Sequence, residues 1–256
     1  MDLVAKIINK KLPVIIISPH FDDAILSCGE LLQQLAGKIN CTIITVFTKA
    51  HGGPYTLSTR QFLRASGVRD GLSLYKERRN EDTKAQKMLA VKTINLGLED
   101  ALFRRKKHKT FWGKILAEFD HIYPTYRWHI LKDISPSDPA ISELKKQLKP
   151  YINKKAIIIA PYGLGGHTDH LVTSKICKEL FPNVILYSDF PYNIRLNNYG
   201  KADGMQVYKL QPDMQQKSKL IQLYKTQFKG LFPEGSVPDH KEVYFVSENN
   251  TLLKQK

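Results

Sequence analysis

Histidines and aspartates cluster in two short motifs of this chain, PHFDD and GGHTDH, each directly after an apolar run. Imidazole nitrogens and carboxylate oxygens are the ligands that a catalytic zinc ion uses in proteins, with iron and manganese as alternatives. The two motifs therefore predict a metal site that has side chains left over for acid–base chemistry. The candidate residues are His20, Asp22, Asp23, His167, Asp169 and His170.

Each motif alone has a simpler explanation. Aspartates are favoured at the start of a helix, so one aspartate of PHFDD could cap a helix that begins near Ala24. His167 and His170 stand at positions i and i+3, and two surface histidines can share a helix face by chance. Capping explains only one aspartate, however, and packing does not explain why both motifs follow buried strands. Metal chemistry is the favoured interpretation.

A site with two histidines and one carboxylate keeps a coordination position open for water, as in hydrolytic zinc enzymes. Zinc lowers the pKa of a bound water to about 7, and a neighbouring carboxylate can then take its proton. The sequence therefore predicts a hydrolytic rather than a structural metal site.

Strand-like and helix-like segments alternate along the chain. This alternation predicts one α/β domain, residues 1–256, with a Rossmann-like, doubly wound and mostly parallel sheet flanked by helices. Both histidine motifs then lie beyond the carboxyl ends of strands, where such sheets bind ligands. The predicted strands are Leu12–Ser18, Cys41–Phe47, 92–97, Ala156–Ala160, Val184–Tyr187 and Glu242–Val246. The predicted helices are Ala24–Leu35, Glu77–Ala90, Phe111–Phe119, Ile141–Leu148, Thr168–Leu180 and Lys217–Phe228, and Lys49–Leu74 is expected to be a long loop.

The net charge of +15 is the unusual feature of the composition. Its densest run, Arg104–Lys109, is expected to be a solvated loop. No zinc-finger spacing or RNA-binding aromatic motif accompanies it, so no nucleic-acid partner is expected. The three cysteines have no ligand-like spacing, and we expect reduced core residues in a cytoplasmic protein. No apolar run has the length of a membrane span, and no signal peptide is expected.

The two motifs resemble those of the PIG-L (LmbE-like) family, zinc-dependent sugar N-deacetylases. Those enzymes remove acetyl from N-acetylglucosamine units of conjugates such as phosphatidylinositol. Further segments resemble family motifs in the same order: ERRNEDTKAQKMLA, LGLEDA, SDFPYN and KSKLIQLYKTQ. The resemblance covers most of the chain.

The resemblance implies a role for each candidate residue. His20, Asp23 and His170 would hold one zinc ion, and Asp22 would be the general base. His167 would polarise the acyl oxygen or protonate the leaving group, with Asp169 orienting its ring. Two further residues, Arg78 and Asp100, would bind the sugar. The implied substrate is an N-acetyl sugar conjugate, and the positive charge is compatible with a phosphate-bearing one.

Two other functions compete with this interpretation. The glycines of IIIAPYGLGG, with Asp189 after the next strand, resemble a dinucleotide-binding fingerprint, but Thr168 occupies the third glycine position. This alternative leaves PHFDD unexplained. The other alternative is a basic metal- or anion-binding protein without catalysis, although a closed structural zinc site is expected to recruit cysteines. Retained dinucleotide, bound metal and deacetylation would distinguish the three.

Overall fold

The computed structural model describes residues 2–106, 111–124, 130–131, 133–152, 154–201 and 203–253. These residues form one sheet of seven strands in the order β3-β2-β1-β4-β5-β7-β6. The strands are β1 (Val14–Ser18), β2 (Cys41–Lys49), β3 (Lys92–Glu99), β4 (Ile157–Pro161), β5 (Ile185–Tyr187), β6 (Met205–Leu210) and β7 (Glu242–Ser247).

Helices connect the strands and cover the sheet. They are α1 (Leu3–Lys10), α2 (Asp23–Leu35), α3 (Leu57–Ala65), α4 (Gly71–Leu89), α5 (Phe111–Ile115), α6 (Ala140–Leu148), α7 (Thr168–Leu180), α8 (Tyr192–Arg195), α9 (Met214–Ile221) and α10 (Lys225–Leu231). Short 3-10 turns occupy Ala117–Phe119, Lys149–Tyr151 and Leu164–Gly166. Among the described residues, no helix is long and apolar enough to cross a bilayer.

The sheet confirms the predicted doubly wound, mostly parallel topology. Strands β1 to β5 pair in parallel, whereas β7 pairs antiparallel with both β5 and β6. The chain adds β2 and β3 on one side of β1 and then crosses back to place β4 on the other side. The direction of winding therefore reverses between β1 and β4, and ligands bind at such a switch point.

Alternate side chains of the parallel strands point to opposite faces of the sheet. In β1, Val14 and Ile16 pack into a core shared with α1, α2 and α4. Ile15 and Ile17 pack into a second core shared with α6 and α7. Because both faces are covered, the strand is buried at every position and its sequence is continuously apolar.

The region predicted as a loop, 49–74, differs from expectation. It contains α3 and the start of α4, each begun by a polar side chain. Thr56 accepts a hydrogen bond from the Thr59 backbone N–H, and Asp70 accepts one from that of Ser73. Only three residues of α3 are buried, so its apolar periodicity was too weak to predict a helix.

The predicted helix Lys217–Phe228 is also different, because it is divided between α9 and α10. Tyr224 lies in the break and turns inward, where its hydroxyl donates to Asp82 of α4 at 2.9 Å. Besides α3, three further elements were not predicted: α1, α8 and β6. These elements are short, so each has too few residues to show a clear apolar periodicity.

Candidate active site

The turn between β1 and α2 leaves the carboxylate of Asp22 unused by the helix. Ser18 donates its hydroxyl to the carbonyl of His20 at 2.6 Å and accepts from the backbone N–H of Ala24 at 3.0 Å. Asp22 occupies the N-cap position of α2, yet its side chain makes no hydrogen bond to the described N–H groups of the first turn of this helix. Helix capping therefore does not explain why an aspartate stands at position 22.

One carboxylate oxygen, Oδ2 of Asp23, joins the two histidine motifs. It accepts from the backbone N–H of His20 at 2.7 Å and lies 3.1 Å from Nδ1 of the same residue. It also lies 3.3 Å from Nε2 of His170. Burial alone would raise the pKa of Asp23, but the imidazoles, that of His170 foremost, hold this pKa well below its ordinary value. An ionised carboxylate thus lies between two imidazoles.

Asp189, just beyond the end of β5, supports His170 from the other side. Its Oδ1 atom lies 2.7 Å from Nδ1 of His170. A carboxylate accepts the Nδ1 proton, so the ring can offer Nε2 to a metal. A histidine ligand supported in this way by a carboxylate has a fixed ring orientation and a more basic nitrogen.

Asp189 also accepts hydrogen bonds from the glycine-rich turn after β4. The backbone N–H groups of Gly163 and Leu164 donate to its Oδ2 atom at 2.8 and 2.9 Å. In a dinucleotide-binding loop, such N–H groups bind the pyrophosphate. Gly165 has a φ of 79°, and a Cβ atom at this position would lie 2.3 Å from the ring of Tyr192. The glycines therefore serve close packing in this turn, and the structure does not support the dinucleotide-binding alternative.

Asp169 connects His20 with the loop that follows β3. Its Oδ2 atom lies 3.1 Å from Nε2 of His20 and accepts from the backbone N–H of Ala101 at 3.0 Å. Its other oxygen, Oδ1, accepts from the guanidinium of Arg104. Arg104 also donates to Asp138 at 2.5 Å and is only 3% exposed. Although burial raises the pKa of Asp169, Arg104 keeps it well below the ordinary range.

His167 begins α7 and faces the same cluster. Its Nδ1 atom accepts from the backbone N–H of Asp169 at 3.2 Å, which leaves Nε2 to carry the ring proton. The ring meets that of His20 edge-on, with centroids 5.0 Å apart. Burial and the neighbouring His20 lower the pKa of His167 to about 4. The hydrogen bond to Asp169 runs through its backbone, so orientation of this ring by the carboxylate stays a prediction.

Asp22 and Arg78 form a second pair of charges beside the histidines. Burial, reinforced by the carboxylate of Asp23, raises the pKa of Asp22 to about 6, and the charge of Arg78 opposes this rise. The Arg78 guanidinium lies over the rings of Phe62 and Tyr75, at 5.2 and 5.4 Å. Its Nε atom is buried without a hydrogen-bond partner in the described part of the chain. A buried donor of this kind is costly unless a ligand accepts from it.

Asp100, directly after β3, lies beside His20. Its Oδ1 atom accepts from the backbone N–H of Leu102 at 2.8 Å, and its Oδ2 atom accepts from the hydroxyl of Tyr75 at 2.5 Å. The same Oδ2 atom lies 3.5 Å from Nε2 of His20. Asp100 is therefore held at the edge of the site, where a carboxylate can still accept from a ligand hydroxyl.

The donor set fits a zinc ion. His20, Asp23 and His170 each offer one ligand atom, and these atoms lie within 4.8 Å of one another. The distances from Asp23 Oδ2 to the two imidazoles, 3.1 and 3.3 Å, are close to the separation of about 3.4 Å between tetrahedral zinc ligands. His20, His167 and Asp169 form a second such group, but Asp169 is already paired with Arg104. His20, Asp23 and His170 therefore remain the predicted ligand set.

The structure brings all eight predicted site residues to one edge of the sheet, but it corrects one expectation. The run Arg104–Lys109 is not simply a solvated loop, because Arg104 is buried between Asp169 and Asp138. Residues 107–109 of that run lie outside the described residues. Tyr75 and the support of His170 by Asp189 were not predicted from the sequence. The position of Asp189 just after a predicted strand could have indicated that its side chain lies at the same edge of the sheet as the two motifs.

The comparison with known families agrees with this geometry. The chain matches the family model PIG-L, described as GlcNAc-PI de-N-acetylase, over residues 15–181, more than half of its 256 residues. The chain belongs to the PIG-L family. The matched range includes both histidine motifs of this PIG-L family protein, and the membership confirms the resemblance stated from its sequence.

Named relatives share most of the chain's length. A 2'-N-acetylparomamine deacetylase of Niallia circulans is 26% identical over 92% of this chain and 90% of the relative. A second 2'-N-acetylparomamine deacetylase, from Streptomyces fradiae, is 26% identical over 70% of this chain and 57% of the relative. The predicted enzyme class, a deacetylase of acetylated sugar conjugates, is confirmed by these relatives together with the family.

Solved structures with the same fold include the zinc-inhibited form of teicoplanin deacetylase Orf2. It has a TM-score of 0.67, 20% sequence identity, and coverage of 93% of this chain and 99% of that one. The A40926 pseudoaglycone deacetylase Dbv21 has a TM-score of 0.63 and 19% identity, with coverage of 92% and 97%. At these identities the similarity establishes the fold, which is the predicted α/β architecture.

Proposed function

We propose that this protein is a zinc-dependent hydrolase that removes the N-acetyl group of an N-acetylglucosamine-type sugar conjugate. The observation that carries the proposal is the convergence of His20, Asp23 and His170 beside the buried carboxylate of Asp22. The names of the 2'-N-acetylparomamine deacetylases support an amino sugar within a larger conjugate as the substrate.

The three ligand residues would hold the ion, and a zinc ion bound there supplies Lewis acidity to the acyl oxygen and to a water molecule. Asp22 is the general base that accepts a proton from the attacking water. Its side chain has no capping role to perform and is buried beside the ligand Asp23. The water oxygen bonds to the acetyl carbon, whose bond to the sugar nitrogen then breaks.

His167 acts on the other side of the acetyl group. Its Nε2 atom polarises the acyl oxygen or delivers the proton that the leaving nitrogen needs, since its Nδ1 atom is already bonded to backbone. We assign Asp169 the role of holding this part of the site in place through Arg104 and Ala101. The products are acetate and a free amino sugar.

Arg78 and Asp100 bind the sugar. Arg78 offers a buried donor with no partner among the described residues, and Asp100 offers a carboxylate at the rim of the cluster. A guanidinium binds hydroxyl or phosphate oxygens in a fixed geometry, which is also compatible with an anionic conjugate. The three buried, unpaired cysteines support the predicted cytoplasmic location.

The test is release of acetate from a panel of N-acetylglucosamine conjugates. Protein stripped of metal by a chelator should be inactive and should recover with zinc, with manganese and iron as comparisons. The matched variant Asp22→Asn should bind zinc and release acetate far more slowly. Zinc binding without deacetylation of any panel member would favour the non-catalytic metal-binding alternative.

A further inference from the structure

A patch of exposed apolar side chains lies outside the site. It occupies α5 and the 3-10 turn after it and is named here the 111–119 patch. Its side chains are 47–70% exposed, and they are Phe111, Trp112, Ile115, Leu116 and Phe119. Five of the thirteen strongly exposed large apolar side chains in the described part of the chain therefore fall within nine residues. Single exposed apolar residues are ordinary, but a contiguous group marks an interaction surface.

The backbone beneath the patch is folded and held in place. The Leu116 N–H donates to the Trp112 carbonyl at 2.8 Å, within the segment. Glu118 accepts from the backbone N–H of Leu57 in α3 at 2.7 Å. His121 is buried and hydrogen bonds to the carbonyl of Ala117 at 2.7 Å. Glu118 and the carbonyl of Ala117 thus bond to the protein, whereas the five apolar side chains of the patch are exposed to solvent.

Basic residues precede the patch directly. Lys106 is exposed, and its Nζ atom donates to the carbonyl of Phe119 in the patch at 3.0 Å. The sequence continues with Lys107, His108 and Lys109, which lie outside the described residues. Aromatic and aliphatic side chains beside several lysines form the composition of segments that lie in the interface of a bilayer. The lysines interact with anionic headgroups there, and the aromatic rings enter the boundary with the acyl chains.

We propose that the 111–119 patch docks on the surface of an anionic lipid bilayer. The positive charge of the protein favours an anionic bilayer over a second copy of the chain as the partner of this patch. Two copies that met through this patch would bring together two basic runs on proteins of net charge +15, which repel each other. An anionic bilayer attracts the same lysines and offers an apolar layer for Trp112 and its neighbours.

The chain leaves the site and returns to it around this patch. Before the patch, Arg104 is bonded to Asp169 in the site. After it, the carbonyl of Asp133 accepts from the hydroxyl of Thr168, which adjoins the histidine motif, at 3.1 Å. Docking through residues 111–119 would therefore place the catalytic edge of the sheet near the headgroup layer. Bilayer binding itself does not depend on the proposed deacetylation.

The experiment is sedimentation of the full chain with vesicles. The vesicles contain phosphatidylcholine alone or an equal mixture with phosphatidylglycerol. The test variant combines Phe111→Ser, Trp112→Ser and Ile115→Ser, which change only exposed side chains. The matched control combines Met88→Ser, Leu196→Ser and Val207→Ser, exposed apolar residues of other elements. Circular dichroism of both variants establishes that they are folded.

The wild type and the control should sediment with the anionic vesicles and the test variant should remain in solution. Replacing a single lysine of the run, as in Lys109→Ala, should lower the partition coefficient about fivefold, and salt should weaken binding. In a Trp128→Phe background, Trp112 is the remaining tryptophan, and its fluorescence should shift to the blue on binding.

Three results would overturn the proposal. The first is no sedimentation of the wild type with anionic vesicles at low salt. The second is equal sedimentation of the test variant and the wild type. The third is a dimer of the wild type that the three serines abolish, with no vesicle binding, which would assign the 111–119 patch to a second copy of the chain.

Discussion

The Oδ1 atom of Asp189 lies 2.7 Å from Nδ1 of His170, and Nε2 of the same ring lies 3.3 Å from Oδ2 of Asp23. Two carboxylates, one at the start of α2 after β1 and one after β5, thus hold one imidazole between them. The geometry makes Asp189 a positioning residue for His170, the proposed metal ligand. It also ties the glycine turn after β4 to the same side chain.

Asp189→Asn should lower zinc affinity about 10–100-fold, the usual cost of losing such a supporting carboxylate. The amide can still accept from the turn, but an NH₂ group facing Nδ1 favours the tautomer that carries its proton on Nε2. Zinc affinity is measured by competition with a chromogenic chelator. The exposed Asp203→Asn is the control, and equal affinity of all three proteins would show that Asp189 does not position the ligand.

The two adjacent aspartates of PHFDD should fail differently. Asp23→Asn removes an anionic ligand, so zinc affinity should fall and activity should return only with excess zinc. Asp22→Asn should keep zinc but lose roughly 10²–10⁴-fold in kcat for lack of a proton acceptor. Metal analysis and acetate release on the same preparations separate the two. If Asp22→Asn loses zinc and Asp23→Asn retains it, the two roles are reversed.

Arg104→Ala should destabilise the fold strongly. Its guanidinium is buried between Asp138 and Asp169, and its removal leaves two buried carboxylates without their cation. Breaking a buried ion pair in this way costs about 3–5 kcal/mol. Urea unfolding measures this change in the free energy of unfolding. The exposed Lys84→Ala should change it by about 0.5 kcal/mol or less, and a similarly small effect of Arg104→Ala would contradict the structural role.

Arg78→Ala should raise KM, or lower kcat/KM, without changing zinc content. Its Nε atom is buried and lacks a partner among the described residues, so a substrate oxygen is the expected acceptor. Steady-state kinetics on the identified substrate test this effect. Lys76→Ala in the same helix, at an exposed position, provides the control. Unchanged kinetics of Arg78→Ala would exclude this arginine from the site.

Asp82 should make stability depend on pH. It is buried and accepts from Tyr224, and burial raises its pKa from 3.8 to about 7. Between pH 3.8 and about pH 7, the folded state therefore binds more protons at Asp82 than the unfolded state does. The contribution of Asp82 to stability is lost as the pH rises through this range. Asp82→Asn cannot titrate, and it retains an acceptor for Tyr224. Its stability relative to wild type should therefore increase from about pH 4 to pH 7.

Urea unfolding at a series of pH values measures this trend. Asn80→Ala, at an exposed position of the same helix as Asp82, removes no titratable group and should keep a constant difference from wild type across the same range. A constant difference for Asp82→Asn as well would mean that this carboxyl group titrates alike in the folded and unfolded chain.

The amino-acid sequence by itself determined the class of fold and the chemistry of the ligands. Apolar runs such as Val14–Ser18 are long enough to be strands and too short to be anything else in this pattern. The carboxyl ends of parallel strands share one edge, so PHFDD and GGHTDH had to meet there. The bounds of α7, Thr168–Leu180, agree with the predicted helix, because a glycine-rich turn precedes it and the next strand follows it closely.

Only the tertiary structure decided which side chains position those ligands. Arg104 stands in a basic run that is typical of solvated loops, and its burial depends on Asp138 and Asp169, which come 34 and 65 residues later. Likewise, the inward turn of Tyr224 toward Asp82 spans 142 residues. Local patterns carry no information on such pairs, since the packing of distant elements brings them together. The candidate ligands could therefore be proposed from the sequence, whereas the side chains that hold them in place could not.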